Sequence, residues 1–221
     1  MKPLLHHAFS MISQCLSPAR CAHCLQLIAE RTTFCSICFS KIAPVVSVTL
    51  AVTPSVSMKV LSCSAYEPPL SYLIGAKKFS DQVASHQLAE LMWQRTTLRH
   101  TSADVLVPVP LHWTRYAYRG YNQAYEMACV LQKHMNIPVV ELVGRNRRTQ
   151  FQFLLKASER EQNVKNAFYL KESYAQTFQG KRIVIVDDLM TTGSTLQAVA
   201  KTLLPLKPAS LTAVVACRVL R

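Results

Sequence analysis

Hydrophobic positions in the larger, C-terminal part of the chain alternate between two patterns. Short runs of strand-forming residues are followed by longer stretches in which apolar residues recur at helical spacing. The predicted strand at 182–186 contains a continuous aliphatic run at 183–186, which is typical of a strand that is buried on both faces of a parallel sheet. The predicted strands are 60–66, 104–110, 138–143, 182–186 and 210–216, and the predicted helices are 69–79, 83–98, 122–135 and 194–204. This alternation predicts an α/β fold, with a mainly parallel sheet flanked by helices.

The pattern is different in the N-terminal part. Residues 1–42 hold five of the eight cysteines in a short, loop-like stretch. Residues 43–59 are almost free of charge and rich in Val, Ser and Thr, which is typical of a connector or of edge strands. We therefore predict a cysteine-rich module at 1–42, a connector at 43–59 and an α/β domain at 60–221.

Composition and charge limit the kinds of protein that this chain can be. The chain has 221 residues, half of them hydrophobic, which is enough to bury a core and excludes wholesale disorder. No apolar run reaches the roughly 18–20 residues that a membrane-spanning helix needs. The formal net charge of +13 predicts attraction to polyanions such as phosphorylated metabolites, nucleic acid or an anionic membrane surface.

The first sixteen residues allow an alternative interpretation, a short signal peptide followed by a lipidated Cys15. Polar residues such as His6 and Ser13 interrupt the apolar stretch, and no cleavage site with small residues precedes Cys15. We therefore expect a cytoplasmic protein, in which cysteines act as metal ligands or buried thiols rather than as disulfides.

The strongest candidate site lies where the predicted strand at 182–186 ends. Asp187 and Asp188 follow it directly, at the end of a strand where ligands bind in open α/β sheets. Small and hydroxylated residues then lead into a helix, whose N-terminal N–H groups favour a phosphate. The two carboxylates suit ribose hydroxyls or a hydrated Mg²⁺. The segment therefore predicts a sugar-phosphate site, whose phosphate side consists of Thr191, Thr192, Gly193, Ser194 and Thr195.

Two other interpretations of this segment compete. The acids can simply be solvated at a turn before an ordinary helix. The strand also resembles a Walker-B strand, but no Gly-x4-Gly-Lys-Ser/Thr loop occurs anywhere in the chain. Gly193 is one of only five glycines, which favours a specific use for it.

Residues 184–195 read Val-Ile-Val-Asp-Asp-Leu-Met-Thr-Thr-Gly-Ser-Thr and resemble the phosphoribosyl pyrophosphate (PRPP) loop of type I phosphoribosyltransferases. Two stretches, Val-Pro-Val-Pro-Leu at 107–111 and Arg-Gly-Tyr-Asn-Gln-Ala at 119–124, are similar to the ComF family of competence-associated proteins. The resemblance covers about residues 60–221 in the right order and implies the type I phosphoribosyltransferase fold. Further matching residues are Tyr66, Pro69, Leu70, Ile74, Lys77, Lys78, Phe79, Arg115, Gln152, Leu155, Arg160, Asn163, Ala167 and Phe168.

The resemblance also implies roles for individual residues. Asp187 and Asp188 would hold the ribose hydroxyls, directly or through Mg²⁺, and the loop from 191 to 195 would hold the 5′-phosphate. Arg115 and Arg119 would lie near the pyrophosphate as charge-assisted donors. Residues 145–165, which include Arg160, would close over the site. The implied catalytic residues are Asp187, Asp188 and Arg119, although an ordinary solvated basic face remains the alternative for the arginines.

A second candidate site is the cysteine pattern in the N-terminal module. Cys21-x2-Cys24 and Cys35-x2-Cys38 form two pairs that together can complete a tetrahedral Zn²⁺ site. A segment this short cannot build its own core, so the metal would supply folding energy. Disulfides or metal-free thiols are the alternatives, and His23 is a possible substitute ligand, as are His6 and His7.

The ComF resemblance extends to this module, since an N-terminal cysteine knuckle is usual in that family. Longer members have further Cys-x2-Cys pairs, which are absent here, so a role that depends on a second metal is in doubt. The remaining cysteines are expected to be small core or surface thiols, and these are Cys15, Cys63, Cys129 and Cys217.

Two functions follow from these observations. The first is a ComF-type protein that binds PRPP and Mg²⁺ and acts in natural transformation, handling incoming single-stranded DNA beside other DNA-uptake proteins. The alternative is an active phosphoribosyltransferase of nucleotide or base salvage with no nucleic-acid role. No residue identifies an acceptor base, so catalysis itself is left open. The net charge and the basic residues of 145–165 suit a single strand, and scattered aromatic residues suit base stacking but equally suit a strand face or helix core; these aromatics are Tyr116, Tyr118, Tyr121, Phe151 and Phe153.

Overall fold

The computed structural model of the chain describes residues 19–28, 32–76, 82–111, 117, 120–145, 167–174 and 176–220. Seven strands are assigned in these parts: β1 Val48–Ala51, β2 Ser57–Ala65, β3 Val105–Pro108, β4 Val143–Arg145, β5 Phe168–Leu170, β6 Arg182–Met190 and β7 Ser210–Arg218. The α-helices are α1 Ser36–Ser40, α2 Leu70–Ala76, α3 Gln82–Arg95, α4 Gln123–Met135 and α5 Ser194–Leu203. Short 3-10 helices occupy Thr97–His100, Glu172–Tyr174 and Leu204–Leu206.

Five of the strands form one sheet in the order β1-β2-β7-β6-β3. The four strands β2, β7, β6 and β3 run parallel to their neighbours, and only β1 pairs in the antiparallel sense. Strands β4 and β5 form a separate antiparallel ribbon. The prediction of a mainly parallel sheet flanked by helices is confirmed.

Strand β6 lies in the core, between β7 and β3. Its residues Ile183, Val184, Ile185 and Val186 are at most 1% exposed. Helix α4 packs on β3 and β6, α3 packs on β2 and β7, and these two helices contact each other. Helix α5 contacts β6 together with the β4–β5 ribbon. The unbroken burial follows because a strand covered on both faces has no solvent side.

An ion pair connects β3 to β6 at the end of the sheet opposite the acids. Arg182 donates from Nη2 to Asp104 Oδ1 at 2.7 Å and from its backbone N–H to Asp104 Oδ2 at 2.7 Å. These hydrogen bonds hold the pKa of the Asp104 carboxyl well below its usual value. Strand β3 is thereby aligned with β6 in the register that pairs Pro108 with Val186.

Strand β6 is longer than the hydrophobic run predicts. It continues through both acids to Met190, because β7 offers partners beyond the run and pairs Leu189 with Cys217 and Met190 with Arg218. The acids therefore lie within the last part of a strand rather than after it.

The predicted strand at 138–143 is wrong as a single element. Only one parallel bridge forms there, between Val139 and Leu106. The N–H of Leu142 then donates to the carbonyl of Val140 at 2.9 Å, a tight turn that redirects the chain. Regular pairing resumes in β4, which starts at Val143 and pairs with β5.

Residues 43–59 were expected to be a connector or edge strands, and they contain β1, which pairs with β2 at the edge of the main sheet. The cysteine-rich part also packs against the rest of the protein, since Phe34, Cys38 and Ile42 belong to the same core as the sheet. The domain boundaries at 42 and 59 stay predictions. Within the parts of the chain that are described, no helix combines the length and apolarity needed to cross a membrane.

Candidate functional site

The candidate sugar-phosphate site lies at the carboxyl edge of the sheet, where the parallel strands end together. Asp187 and Asp188 are both partly buried at this edge. The backbone N–H of Asp188 donates to Asp187 Oδ1 at 2.8 Å, which holds the Asp187 carboxylate against the strand backbone. Ligands in open α/β sheets bind at this edge, so both acids lie where a ligand would be expected.

The turn that follows β6 contains the predicted phosphate-binding residues. Thr192 Oγ1 donates to Ser194 Oγ at 2.9 Å and accepts from the Ser194 N–H at 3.3 Å. Helix α5 starts here, with the N–H of Gln197 donating to the Gly193 carbonyl at 2.9 Å. Gly193 is the N-cap and has no side chain to occupy the first N–H groups of the helix. Those groups and the positive end of the helix dipole favour an anion.

Gly193 has a backbone conformation that other residues avoid. Its φ is 82°, in the left-handed region, and an added Cβ would lie 3.1 Å from both Cδ atoms of Leu50. The positive φ favours glycine here, and a Cβ would in addition make a tight contact with a side chain from β1. The sequence indicated the glycine but not Leu50.

We expect Gly193→Ala to destabilise the protein more than Gly180→Ala. Both glycines have positive φ, at 82° and 69°, but nothing lies within 4 Å of a Cβ at Gly180. The shared backbone strain costs about 1–2 kcal/mol, and only Gly193→Ala adds a steric clash with Leu50. Urea denaturation of both variants measures the difference. Equal free energies of unfolding would show that the Leu50 contact is unimportant.

A second part of the site lies at the end of β3. Asn122 caps helix α4, accepting from the Ala124 N–H at 3.1 Å and donating from Nδ2 to the Val109 carbonyl at 3.1 Å. The N–H of Val109 in turn donates to the Val186 carbonyl, one residue before Asp187. The N-terminus of α4 is thus attached next to the acids. The predicted pyrophosphate-binding residues Arg115 and Arg119 lie outside the described residues, as does Arg160, and their roles stay predictions.

Gln123 is a buried polar residue at this helix start that sequence reasoning missed. It is 3% exposed, and its Nε2 has no hydrogen-bond partner within the described structure. An unsatisfied buried amide is costly, so it requires a reason. Its burial could have been predicted from helical spacing, because Gln123 lies on the same face of α4 as the buried Ala124, Met127, Ala128 and Leu131.

The four predicted metal ligands are brought together at the N-terminal module. The Sγ atoms of Cys21, Cys24, Cys35 and Cys38 all lie within 4.8 Å of one another, and all four thiols are free. The Cys24 and Cys35 sulfurs are 3.8 Å apart. Four thiolates around Zn²⁺ at bond lengths of about 2.3 Å are separated by about 3.8 Å, so the cluster fits a tetrahedral metal.

The local backbone shapes the electrostatics of this cluster. Burial raises the pKa of Cys21, but hydrogen bonds from the backbone of Cys24, Cys35 and His23 outweigh it and lower that pKa to about 6. Burial and hydrogen bonds with the other three thiols raise the pKa of Cys38 to about 12. His23 Nδ1 lies 3.3 Å from Cys38 Sγ, outside the four-sulfur cluster.

The module is attached to the helices of the main sheet by specific contacts. The Arg95 guanidinium lies 4.1 Å from the centre of the Phe39 ring and donates from Nη2 to the Phe39 carbonyl at 3.1 Å. The rings of His23 and Tyr72 meet edge to face at 4.9 Å. A metal is therefore not the module's only source of stability.

The remaining cysteines fit the expectation of small core thiols where they are described. Cys63 and Cys217 are fully buried, and burial raises the pKa of Cys63 to about 12. Cys129 is partly buried, which raises its pKa as well. Cys15 lies outside the described residues.

Tyr121 was a candidate for stacking on nucleic-acid bases, but it is only 7% exposed. Its ring packs inside the protein next to the start of α4, so it offers no free face to a base. The other four aromatic candidates, Tyr116, Tyr118, Phe151 and Phe153, lie in parts of the chain that are not described.

The family model of the phosphoribosyl transferase domain matches residues 87–221, which include both acids and the whole turn before α5. A solved structure, glutamine PRPP amidotransferase from B. subtilis complexed with ADP and GMP, is 20% identical, with a TM-score of 0.43 over 61% of this chain and 26% of its own.

Two curated relatives are closer in sequence. Competence protein F of Haemophilus influenzae is 37% identical over 152 residues, and the match spans 66% of each chain. DNA utilization protein YhgH of Salmonella typhimurium is 32% identical over 201 residues, covering 83% of each chain. The resemblance to type I phosphoribosyltransferases and to the ComF family, inferred from residues 184–195, 107–111 and 119–124, is thereby confirmed. The chain belongs to the phosphoribosyltransferase family and, within it, to the ComF group of competence protein F and YhgH.

Proposed function

We propose that the carboxyl edge of the sheet binds PRPP together with Mg²⁺. The observation that carries this proposal is the pair Asp187 and Asp188 at the end of β6, five residues before a glycine-capped helix start in a phosphoribosyltransferase domain. Acceptors for a diol and donors for a phosphate are thus a few residues apart. A ribose 5-phosphate carries a diol on one side of the sugar and a phosphate on the other, so it could contact both sets of groups at once.

Each residue has a role in this proposal. Asp187 and Asp188 hold the ribose hydroxyls, and their carboxylate oxygens are the ligand type that Mg²⁺ prefers. The loop residues Thr191, Thr192, Gly193, Ser194 and Thr195 hold the 5′-phosphate through N–H and hydroxyl groups. When bound, Mg²⁺ would neutralise charge on the pyrophosphate. Arg115, Arg119 and Arg160 are proposed as further donors to the phosphates.

The cysteine cluster is proposed as a structural Zn²⁺ site. Its ligands would be Cys21, Cys24, Cys35 and Cys38, which leave no open position for a substrate. The site would stabilise the module without taking part in chemistry.

For the biological role, we propose that the chain acts in natural transformation in the cytoplasm. Its relatives are named for competence and for DNA utilization, and its net charge of +13 suits a polyanion. Incoming single-stranded DNA and other DNA-uptake proteins are its proposed partners. Phosphate attraction would dominate such binding and make it dependent on salt.

The second candidate is an active phosphoribosyltransferase of nucleotide or base salvage with no nucleic-acid role. The family membership favours it, because transfer from PRPP is the chemistry for which the family is named. Catalysis would consist of positioning and of stabilising the departing pyrophosphate, with Asp187, Asp188 and Arg119 as catalytic residues. Release of pyrophosphate on adding a nucleobase would identify this function.

Calorimetry on one protein sample separates the two candidates. We expect heat of binding for PRPP with Mg²⁺, followed by binding of a single-stranded oligonucleotide whose affinity falls steeply between 50 and 200 mM salt, by about 10³-fold if six phosphates are contacted. Binding of PRPP without any binding of DNA at low salt would favour the salvage enzyme. Absence of PRPP binding would contradict both.

A further inference from the structure

The loop that follows β6 rests on a side chain from a distant part of the sequence. Leu50, in β1, places both Cδ atoms 3.1 Å from the position that a Cβ on Gly193 would take. Leu50 is partly buried and packs against the core. The loop is therefore supported from outside by an apolar side chain that contacts its most constrained residue.

A hydrogen bond attaches the next helical turn to the same strand. Gln197 donates from Nε2 to the Ala51 carbonyl at 2.7 Å, across 146 residues of sequence. The backbone N–H of Gln197 donates to the Gly193 carbonyl at 2.9 Å. One glutamine thus connects β1 to the glycine that begins α5.

Strand β1 is itself well anchored. It pairs with β2 through four register pairs, from Val48 with Val60 to Ala51 with Ser57. The tight turn after it is closed by the Val52 N–H donating to the Val56 carbonyl at 2.8 Å. Upstream, Ser64 Oγ in β2 donates to the Ala43 carbonyl at 2.9 Å. A hairpin held by backbone pairing therefore presents Leu50 to Gly193 and the Ala51 carbonyl to Gln197.

We propose that β1 positions the phosphate-binding loop, with Leu50 as the positioning residue, and this rests on the proposed PRPP function. A turn made of small residues loses conformational entropy when it closes around a phosphate. Holding Gly193 and the first turn of α5 in place before binding removes part of that cost. Leu50 does not touch the ligand in this proposal; it acts through the backbone of Gly193.

The test compares three variants in β1. Leu50→Ala removes both methyl groups, Leu50→Met restores volume, and Val48→Ala removes a partly buried side chain two residues earlier on the same strand face. We expect Leu50→Ala to weaken PRPP binding by about tenfold, while Leu50→Met and Val48→Ala stay near the unmodified protein, because loss of preorganisation lowers affinity. Calorimetry with PRPP and Mg²⁺ measures the affinities.

Hydrogen exchange without ligand gives an independent measurement of the same proposal. In Leu50→Ala, amides of residues 191–197 should exchange faster than in Val48→Ala, relative to the amides of β7. Unchanged PRPP affinity in Leu50→Ala, or an equal loss in Val48→Ala, would overturn the positioning role. If the unmodified protein binds no PRPP, the proposed function fails, and the exchange comparison alone decides whether β1 positions the loop.

Discussion

Replacing Asp187 and Asp188 together by asparagine is expected to abolish the rise in melting temperature that PRPP with Mg²⁺ produces. A ligand at 100 times its Kd stabilises the folded state by about 2.7 kcal/mol. For a chain of this size that corresponds to a rise of roughly 5–10 °C. Asparagine keeps the shape but loses the negative charge that attracts the metal and an acceptor oxygen for the diol.

The matched control for this experiment is Asp104→Asn, which removes a carboxylate from the other end of the β3–β6 pair. Asp104 forms its ion pair with Arg182, far from the carboxyl edge in strand register. This variant should change the melting temperature of the ligand-free protein but keep the full rise in melting temperature that PRPP produces. A rise that survives in the Asp187 and Asp188 double variant would remove these residues from the site.

Loss of a cysteine ligand is expected to lower the stability of the whole chain. Structural Zn²⁺ in small modules contributes about 10–16 kcal/mol of apparent binding free energy. Cys24 is exposed, so Cys24→Ser changes little packing and mainly removes one ligand. Because Phe34, Cys38 and Ile42 lie in the common core, destabilisation should spread beyond the module. Thermal unfolding followed by circular dichroism measures it.

Metal analysis accompanies that measurement. The unmodified protein should contain about one Zn²⁺ per chain, and Cys24→Ser should contain much less. Cys129→Ser is the control, since Cys129 is a partly buried thiol outside the cluster and should leave the zinc content unchanged. A folded protein with no metal, and with the same melting temperature after chelation, would contradict a zinc site.

The order of strands and helices could be predicted because local patterns determine it. The run Ile183 to Val186 is aliphatic without interruption, and only a doubly covered strand accommodates such a run. Helix α4 likewise starts one residue after the predicted start at 122, with Asn122 as its N-cap. The end of β6 was misjudged, since pairing with β7 continues past the acids regardless of their polarity.

The two groups of candidate functional residues could be predicted from local sequence. The acids beside Gly193, and the paired cysteines, are each close in the chain, so spacing alone predicts which atoms can meet. The contact between Leu50 and Gly193, and the lack of a partner among the described residues for the buried Nε2 of Gln123, could not be predicted in this way. Such contacts join segments separated by many residues, and their partners depend on how the sheet is ordered and how the helices pack, which no local pattern records.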